Sequence, residues 1–213
     1  DDEPASAADP LAPSVKINDQ DGELNASEIA SGVTAEIVLP TGTAVGDIVK
    51  VDTNGDGVPD LTQAVTALDI EAGKVNVTLP AAIIPADGTL TVDATITNAD
   101  GVTGPKGTDT SNTDSTPPVL SATLDPSSDS GSSGDNTTNN PKPVISGTGE
   151  PGATITVTTP TGETLTTTVK PDQTWSVTPT EPFPVGTNQE VQVVSTDPAG
   201  NSTSETLPIN IVS

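Results

Sequence analysis

Cysteine, histidine, arginine, methionine and tyrosine are all absent from this chain of 213 residues. Without cysteine the chain can form no disulfide and offers no thiol nucleophile. Without histidine it lacks the side chain that most often serves as a general acid or base. Its paired carboxylates lie in glycine-rich segments, not in the apolar surroundings that raise the pKa of a catalytic carboxyl group. We therefore predict that the protein is not an enzyme.

Positive charge is also scarce, because six lysines face 30 acidic residues and the net charge is −24. Such a chain has no basic surface for a nucleic-acid backbone or for anionic lipid. It also has no run of about 18 apolar residues, the length that a membrane-spanning helix needs. We predict no nucleic-acid partner, no membrane insertion and a monomeric chain.

Hydrophobic side chains are few, at 31% of residues with 1% aromatics, and prolines (21) and glycines (19) are many. This composition first suggests disorder. However, segments such as KVNVTL and TLTVDATIT alternate apolar and polar residues with the period of half-buried strands. A small core without disulfides would gain stability from bound metal ions, because their binding free energy adds to folding free energy.

The candidate strands form two groups of seven, separated by glycine- and proline-rich turns. The first group lies near residues 14–17, 33–39, 47–52, 61–66, 74–79, 89–97 and 102–109. The second group lies near residues 119–124, 143–147, 153–159, 163–169, 174–178, 189–196 and 204–212. This pattern predicts an all-β fold of two tandem immunoglobulin-like Greek-key β-sandwiches joined end to end. We place the lone Trp175 in the core of the second.

Two similar segments mark the domain boundaries. DPLAP begins at Asp9 and DSTPP begins at Asp114, about one domain length further on. We therefore predict domains at residues 10–116 and 117–213, with residues 1–9 as the remnant of a preceding linker.

The segment DTNGDGVPD, residues 52–60, concentrates oxygen-bearing side chains in an already acidic chain. Two carboxylates about 4 Å apart repel by roughly 1 kcal/mol even in water, so a divalent cation is the expected partner. The alternating oxygens, with Gly57 at the sharp turn, match the front of an EF-hand-like calcium loop. Position 12 is Gln63 and not glutamate, so a polar Asp-Gly hairpin turn is the alternative. The predicted ligands are Asp52, Asn54, Asp56, the carbonyl of Val58, and Asp60.

A second acidic segment, NDQDGELNASE at residues 18–28, matches the calcium loop from its other end. Gly22 falls at position 6 and Glu28 at position 12, but position 1 is Ile17, so Asn18 or a residue from elsewhere must replace it. A solvated loop is the alternative. The predicted ligands are Asn18, Asp19, Asp21 and Glu28.

Longer segments resemble a known family. These segments are LTQAVTALDIEAGKVNVTLPA, DGTLTVDATITNADG, LDPSSDSGSSGDNTTNNPKPVISGTGEPGATITV, DQTWSV and STDPAGN. Over roughly residues 10–213 they resemble the tandem bacterial Ig-like repeats of giant calcium-dependent, RTX-type adhesins exported by type I secretion. The resemblance implies several bound Ca²⁺ ions, an extracellular position on the bacterial cell surface, and neighbouring Ig-like repeats of the same chain as partners. The glycine-rich nonapeptide repeat of such proteins is absent here, so we expect an extender segment.

The resemblance also adds candidate ligands. The stretch DPSSDSGSSGDNTTNN has the composition of a flexible loop, and the resemblance implies Asp129, Asp135 and Asn136 as ligands there. The segment DPAGN offers Asp197 and Asn201, with an Asx-type turn as the alternative.

Strand parity predicts where the acidic loops lie. Loops after the first and third strands, which carry Asp19 and Asp52, fall at the linker end of the first domain. The loop with Asp197 falls at the linker end of the second domain, and Asp114 lies between them, so Ca²⁺ is predicted to bridge the junction.

We therefore predict a calcium-rigidified spacer that projects the ligand-binding domains of an adhesin for adhesion and biofilm formation. The alternative function is a binding module whose loops or threonine-rich face hold a carbohydrate, a protein or an ice surface. Lys–Asn isopeptide bonds are an alternative stiffener to calcium.

Overall fold

The computed structural model describes residues 8–213, so most of the predicted linker remnant lies outside the described residues. The chain divides into two compact units, the first ending at Ser115 and the second beginning at Thr116. Each unit is a β-sandwich of one three-stranded and one five-stranded sheet. The prediction of an all-β fold with two Ig-like sandwiches is confirmed.

Within the described residues the first unit has eight strands and two short helices. The strands are β1 (Ser14–Ile17), β2 (Glu23–Asn25), β3 (Val33–Val38), β4 (Ile48–Asp52), β5 (Leu61–Ala64), β6 (Lys74–Leu79), β7 (Asp87–Thr97) and β8 (Gly107–Asp114). The helices are α1 (Ala26–Ser31) and α2 (Ala67–Ala72), and a 3₁₀ turn covers Ala81–Ile83. One sheet has the order β1-β3-β6 and the other β2-β8-β7-β4-β5.

The second unit repeats this order strand by strand. Its strands are β9 (Leu120–Leu124), β10 (Thr137–Thr138), β11 (Ile145–Gly149), β12 (Thr154–Thr158), β13 (Thr164–Thr168), β14 (Thr174–Val177), β15 (Gly186–Thr196) and β16 (Ser202–Ile211). The sheet orders are β9-β11-β14 and β10-β16-β15-β12-β13. Replacing each strand by its counterpart eight positions later converts one set of orders into the other, so the two units share one topology.

The alternating residues form the two cores as predicted. Val75, Val77 and Leu79 of β6 are buried against the inward residues of β7. Burying a side chain of this size stabilises the fold by about 1.5–3 kcal/mol. Trp175 is 2% exposed in the second core, and its indole Nε1 donates to the carbonyl of Thr148 at 3.2 Å. The prediction that Trp175 is a core residue is confirmed.

Each unit contains a short strand that the alternation did not predict. β2 runs parallel to β8, with Asn25 opposite Asp114, whereas β1 belongs to the other sheet. The chain therefore changes sheets at residues 18–22 and continues along β8. The segment with Asp19 lies beside the sandwich between two strands, not at its end, and strand parity was wrong for this loop. A three-residue strand is too short to show an alternation.

The two helices were also missed, because six residues hardly exceed one and a half helical turns. A capping box precedes each helix. The side chain of the residue just before the helix accepts a hydrogen bond from the backbone N–H of the third helical residue, and the side chain of that third residue accepts one from the backbone N–H of the capping residue. These pairs are Asn25 with Glu28 and Thr66 with Asp69. Gly73 ends α2 in the left-handed conformation, at φ +71°.

A carboxylate joins the first strand of each unit to its last strand. Asp109 Oδ2 accepts a hydrogen bond from Ile17 N at 2.7 Å, and Glu205 Oε2 accepts one from Ala122 N at 3.0 Å. β1 and β9 are edge strands of their sheets, so these N–H groups face away from their strand partners. A backbone donor that is partly shielded from water needs an acceptor, and the last strand supplies it from a side chain.

Candidate metal centres

The loop after β4 is built around the Asp52 carboxylate. Asp52 Oδ1 accepts hydrogen bonds from Asn54 N at 3.0 Å and Gly55 N at 2.8 Å. Its Oδ2 accepts one from Gly57 N at 2.9 Å. The turn at Gly57 has φ +81°, a left-handed conformation that favours glycine. The loop therefore wraps its own amides around its first carboxylate.

The other predicted ligands of this loop are also held by it. Asp56 Oδ1 accepts from Val58 N at 2.7 Å, and Asn54 Nδ2 donates to Asp56 Oδ2 at 3.2 Å. Asp60 Oδ2 accepts from both N and Oγ1 of Thr53 at 2.7 Å. The structure thus brings these oxygens into one hydrogen-bonded turn. Asp52 Oδ1 and Asp60 Oδ2 each accept two hydrogen bonds, whereas Asp52 Oδ2 and the two oxygens of Asp56 accept one each and keep further acceptor capacity.

Asp93 and Lys106 add charges to this site that the sequence did not single out. Asp93 lies directly opposite Asp52 on β7. Its Oδ2 is 2.5 Å from Lys106 Nζ, and its Oδ1 accepts from Thr108 Oγ1 at 2.6 Å. Burial alone would raise the pKa of Asp93, but the hydrogen bonds and charge of these neighbours lower it overall. The only sequence signal was an aspartate among the outward threonines of β7.

Burial likewise opposes the ionisation of Asp52. The hydrogen bonds from its loop and the charge of Lys106 outweigh that effect and lower the pKa of Asp52. Both carboxyl groups of this opposed pair are therefore ionised at neutral pH, with one lysine beside them.

The segment at residues 18–28 does not form one cluster. Glu28 Oε2 accepts from Asn25 N at 2.9 Å, so Glu28 caps α1. Asn18 and Glu28 line one shallow depression that does not include Asp19 or Asp21. Asp21 Oδ1 accepts from the backbone N of Glu23 at 3.3 Å. The motif NASE carried the signal for the cap, because Asn followed three residues later by Glu is a capping box.

Asp114 lies among other polar residues at the end of β8. It is opposite Asn25 on one side and Asp87 on the other. Asp87 Oδ1 accepts from Ser115 N at 2.9 Å. Like charges directly opposite each other on neighbouring strands are destabilising. Asp87 was not predicted, because only the strand register reveals the pair.

Asp129 in the second unit has an unusual environment. Its Oδ2 accepts from Gly134 N at 2.6 Å. Its Oδ1 is buried and has no hydrogen-bond partner among the described residues, and the other two such side-chain atoms, Thr113 Oγ1 and Ser195 Oγ, are neutral hydroxyls. An acceptor atom shielded from water and left without a partner is costly. This carboxylate oxygen is therefore suited to a cation.

The loop around Asp129 is ordered by its own hydrogen bonds. Asp125 Oδ1 accepts from N and Oγ of Ser127 at 2.9 and 2.6 Å, and these bonds lower the pKa of Asp125. Asp135 Oδ1 accepts from Thr137 N at 2.9 Å. Asn136 has φ +55°, and its carbonyl accepts from Asn210 N at 2.8 Å. Composition suggested a flexible loop, but these contacts tie it to β16.

Asp197 and Asn201 contact each other directly. Asn201 donates from N to Asp197 Oδ1 at 2.8 Å and from Nδ2 to Asp197 Oδ2 at 2.9 Å. In the first unit the equivalent hairpin has Asn98, whose Oδ1 accepts from Asp100 N at 3.1 Å and Val102 N at 2.9 Å. The neutral side chain of Asn98 thus occupies the position that the Asp197 carboxylate has in the second unit. The contact between Asp197 and Asn201 therefore has the geometry of an Asx-type turn.

Over residues 8–213, no three carboxylate side chains converge as a ready metal cluster. The donor set that fits a cation best is the Asp129 loop, where a charged oxygen is buried without a partner. No helix within that same range is long and apolar enough to cross a membrane.

Residues 116–211 match the family profile of the bacterial Ig-like domain. A structure from a 1.5-MDa bacterial ice-binding adhesin, described for host cell surface retention, has 23% identity and a TM-score of 0.49 over 95% of this chain and 66% of that chain. A Ca²⁺-stabilized adhesin that helps an Antarctic bacterium reach out and bind ice has 26% identity and a TM-score of 0.49 over 95% and 49%. A bacterial immunoglobulin-like domain from the M. primoryensis ice-binding adhesin has 28% identity and a TM-score of 0.36 over 50% and 98%.

The present chain thus spans 66% and 49% of the lengths of the first two structures. Because all three TM-scores are below 0.5, these similarities assign no property to the present chain. No curated protein matches it in sequence.

Proposed function

We propose that the two units are structural repeats of a bacterial cell-surface adhesin and serve as a spacer that calcium stabilises and stiffens. The observation that carries the calcium part is the buried, unpartnered Oδ1 of Asp129. Ca²⁺ is coordinated by carboxylate, amide and carbonyl oxygens in flexible geometry. A cation at this oxygen would compensate for the desolvation that burial imposes on it.

Each unit has its own candidate calcium site, formed by residues of a single loop. In the second unit Asp129 would hold the ion together with Asp135 and Asn136 of the same loop, which hydrogen bonds already order. In the first unit the loop of Asp52 and Asp60 is the second candidate. Bound Ca²⁺ supplies positive charge, which the chain lacks with six lysines against 30 acidic residues.

The spacer part of the proposal is supported by repetition. The second unit matches the bacterial Ig-like family, and the first unit has the same strand order. Many carboxylates of this repeated β-sandwich accept hydrogen bonds from turns, from helix N-termini and from the first strand of their unit. Such use of the acidic side chains is suited to a structural role. The alternative, a module that binds a carbohydrate or an ice surface, would require a recognition surface on the same scaffold.

Thermal unfolding of Asp129→Asn tests the calcium site. Trp175 is the only tryptophan of the chain, so its fluorescence reports the second unit alone. We expect Ca²⁺ to raise the wild-type Tm more than Mg²⁺ does, with about 2.7 kcal/mol gained at a hundredfold excess over Kd. In EDTA the variant should be as stable as wild type or more stable, because a neutral amide replaces the carboxylate whose Oδ1 has no partner. In calcium it should lose the gain.

The matched control is Asp172→Asn, which removes the same charge from an exposed turn of the second unit. We expect it to keep the full calcium effect. An equal gain in both variants and the wild type would rule out Asp129 as a ligand.

Small-angle scattering tests the spacer function. We expect a narrower distribution of interatomic distances in millimolar calcium than in EDTA, because bound ions would restrict motion between repeats. Identical distributions would contradict stiffening. A glycan array and an ice-affinity assay on the same sample would then test the binding-module alternative.

A further inference from the structure

Part of β7 has an edge that no strand covers. β4 ends at Asp52, opposite Asp93, whereas β7 begins at Asp87. Residues 87–92 therefore pair with β8 on one side only. Among the described residues, no loop backbone hydrogen bond reaches residues 88–92 from the other side. At about 3.4 Å per residue this edge is roughly 20 Å long.

A groove of about 850 Å³ runs beside this edge. Thr89, Thr91 and Asp93 of β7 line it together with Asn54 of the loop after β4 and Ile83 of the 3₁₀ turn. An open strand edge beside a groove is what an extended peptide requires when it adds to a sheet.

The same place in the second unit is blocked. Residues 186–191 of β15 extend past β12, which ends at Thr158 opposite Gln192. Here the ladder shifts register between Gly186 and Gln189, and Asn188 has φ +55°. Such bulges bend an edge and make it unsuitable for pairing. β7 has no register shift, so the open edge belongs to the first unit and is not a general property of this topology.

Charge indicates which chain would occupy the groove. Asp60 and Asp93 line it, Asp52 lies opposite Asp93, and Asp87 begins the open edge. Lys106 is the one basic residue in its lining. A second copy of this chain, with its net charge of −24, would be repelled.

We propose that the first unit binds an extended, lysine- or arginine-bearing peptide segment of another protein by adding it as a strand to the open edge of β7. Hydrogen bonds from residues 88–92 would supply the pairing, and the acidic rim would select the positive charge. This proposal goes beyond the spacer function and requires no bound calcium, although Ca²⁺ at the candidate site of Asp52 and Asp60 would reduce the negative charge of the rim.

The test uses the whole chain and the peptide acetyl-Lys-Thr-Val-Thr-Lys-Thr-Val-Lys-amide. Amide NMR shifts should change at residues 88–93, and amide exchange should slow there. The same peptide N-methylated at alternate residues keeps its charge but cannot form the ladder, so its affinity should fall at least tenfold. A glutamate version should not bind. Equal binding of the methylated peptide would overturn the proposal.

Variants locate the site. Thr89→Lys adds positive charge in the groove and should weaken binding at least fivefold. Gln192→Lys adds the same charge to an exposed position of β15 and should leave binding unchanged. Both positions are exposed, so both variants should fold, which melting curves will verify. Shifts confined to the second unit, equal effects of the two variants, or no binding in either calcium or EDTA would each refute the proposal.

Discussion

At the residue scale, Asp109 and Glu205 show how an acidic side chain can stabilise a sandwich from within. Each accepts the backbone N–H of an edge strand that belongs to the opposite sheet. Removing an acceptor from a part-buried donor costs about 1–3 kcal/mol. The two residues differ in length by one methylene, yet each makes the same kind of contact.

We predict that Asp109→Ala lowers the unfolding free energy of the first unit by about 1–3 kcal/mol. Asp109→Asn should lose less, because its amide oxygen can still accept from Ile17 N. Urea unfolding followed by circular dichroism measures the loss. Fluorescence of Trp175 is the internal control and should not change, since it lies in the second unit. A shift of the same size in the fluorescence transition would contradict the prediction that the contact between Asp109 and Ile17 stabilises the first unit alone.

The Asp93 carboxylate makes a prediction about pH. Its pKa in the folded protein lies below the ordinary value of 3.8. A group of this kind contributes its full stability above the unfolded pKa and loses it as the pH falls through the folded pKa. We therefore expect the stability of the first unit to fall below about pH 4, and Asp93→Asn and Lys106→Met to flatten this dependence. Wild-type and variant profiles of melting temperature that run parallel would show that the ion pair has no part in it.

At the element scale, Glu28 has two candidate roles, as part of the capping box of helix α1 and as a calcium ligand. A glutamine at the third helical position can still complete a capping box, but it is a weaker ligand for Ca²⁺ than a carboxylate. We predict that Glu28→Gln melts like the wild type and binds the same number of ions, whereas Asn25→Ala costs about 1 kcal/mol. Calorimetry counts the ions. One ion fewer in Glu28→Gln would restore Glu28 to the list of ligands.

The elements also show what could be predicted from the sequence. Long alternating strands such as β6 and β7 were placed, and their inward residues are buried, because alternation is a local property. The short strand β2 was not, because its pairing with β8 depends on residues far along the chain. For the same reason the acidic loops could be located, but the use of each carboxylate could not. The Asp52 carboxylate accepts hydrogen bonds from the backbone of its own loop, whereas Asp129 has one buried oxygen without a hydrogen-bond partner.

At the scale of the whole molecule, the net charge of −24 acts on both units. Self-repulsion destabilises a compact state, and salt screens it over about 10 Å at 0.1 M. We predict that NaCl raises the melting temperature in EDTA, and that most of this effect disappears once calcium is bound. Melting curves between low and high salt, with and without calcium, measure both effects. A melting temperature independent of salt in EDTA would show that repulsion is already balanced within the fold.

The parallel pairing of the second strand with the last strand has a mechanical consequence for each unit. The chain enters a unit through β1 and β2 and leaves it through β8, beside which β2 runs in the same direction; β10 and β16 repeat this arrangement. A pull that separates the two ends of a unit therefore slides these strands past each other. The hydrogen bonds between them lie across the direction of pulling and must break together, not one after another. The contact of Asp109 with Ile17 lies in the same seam. In the proposed spacer function, each of the two units would resist extension at this seam.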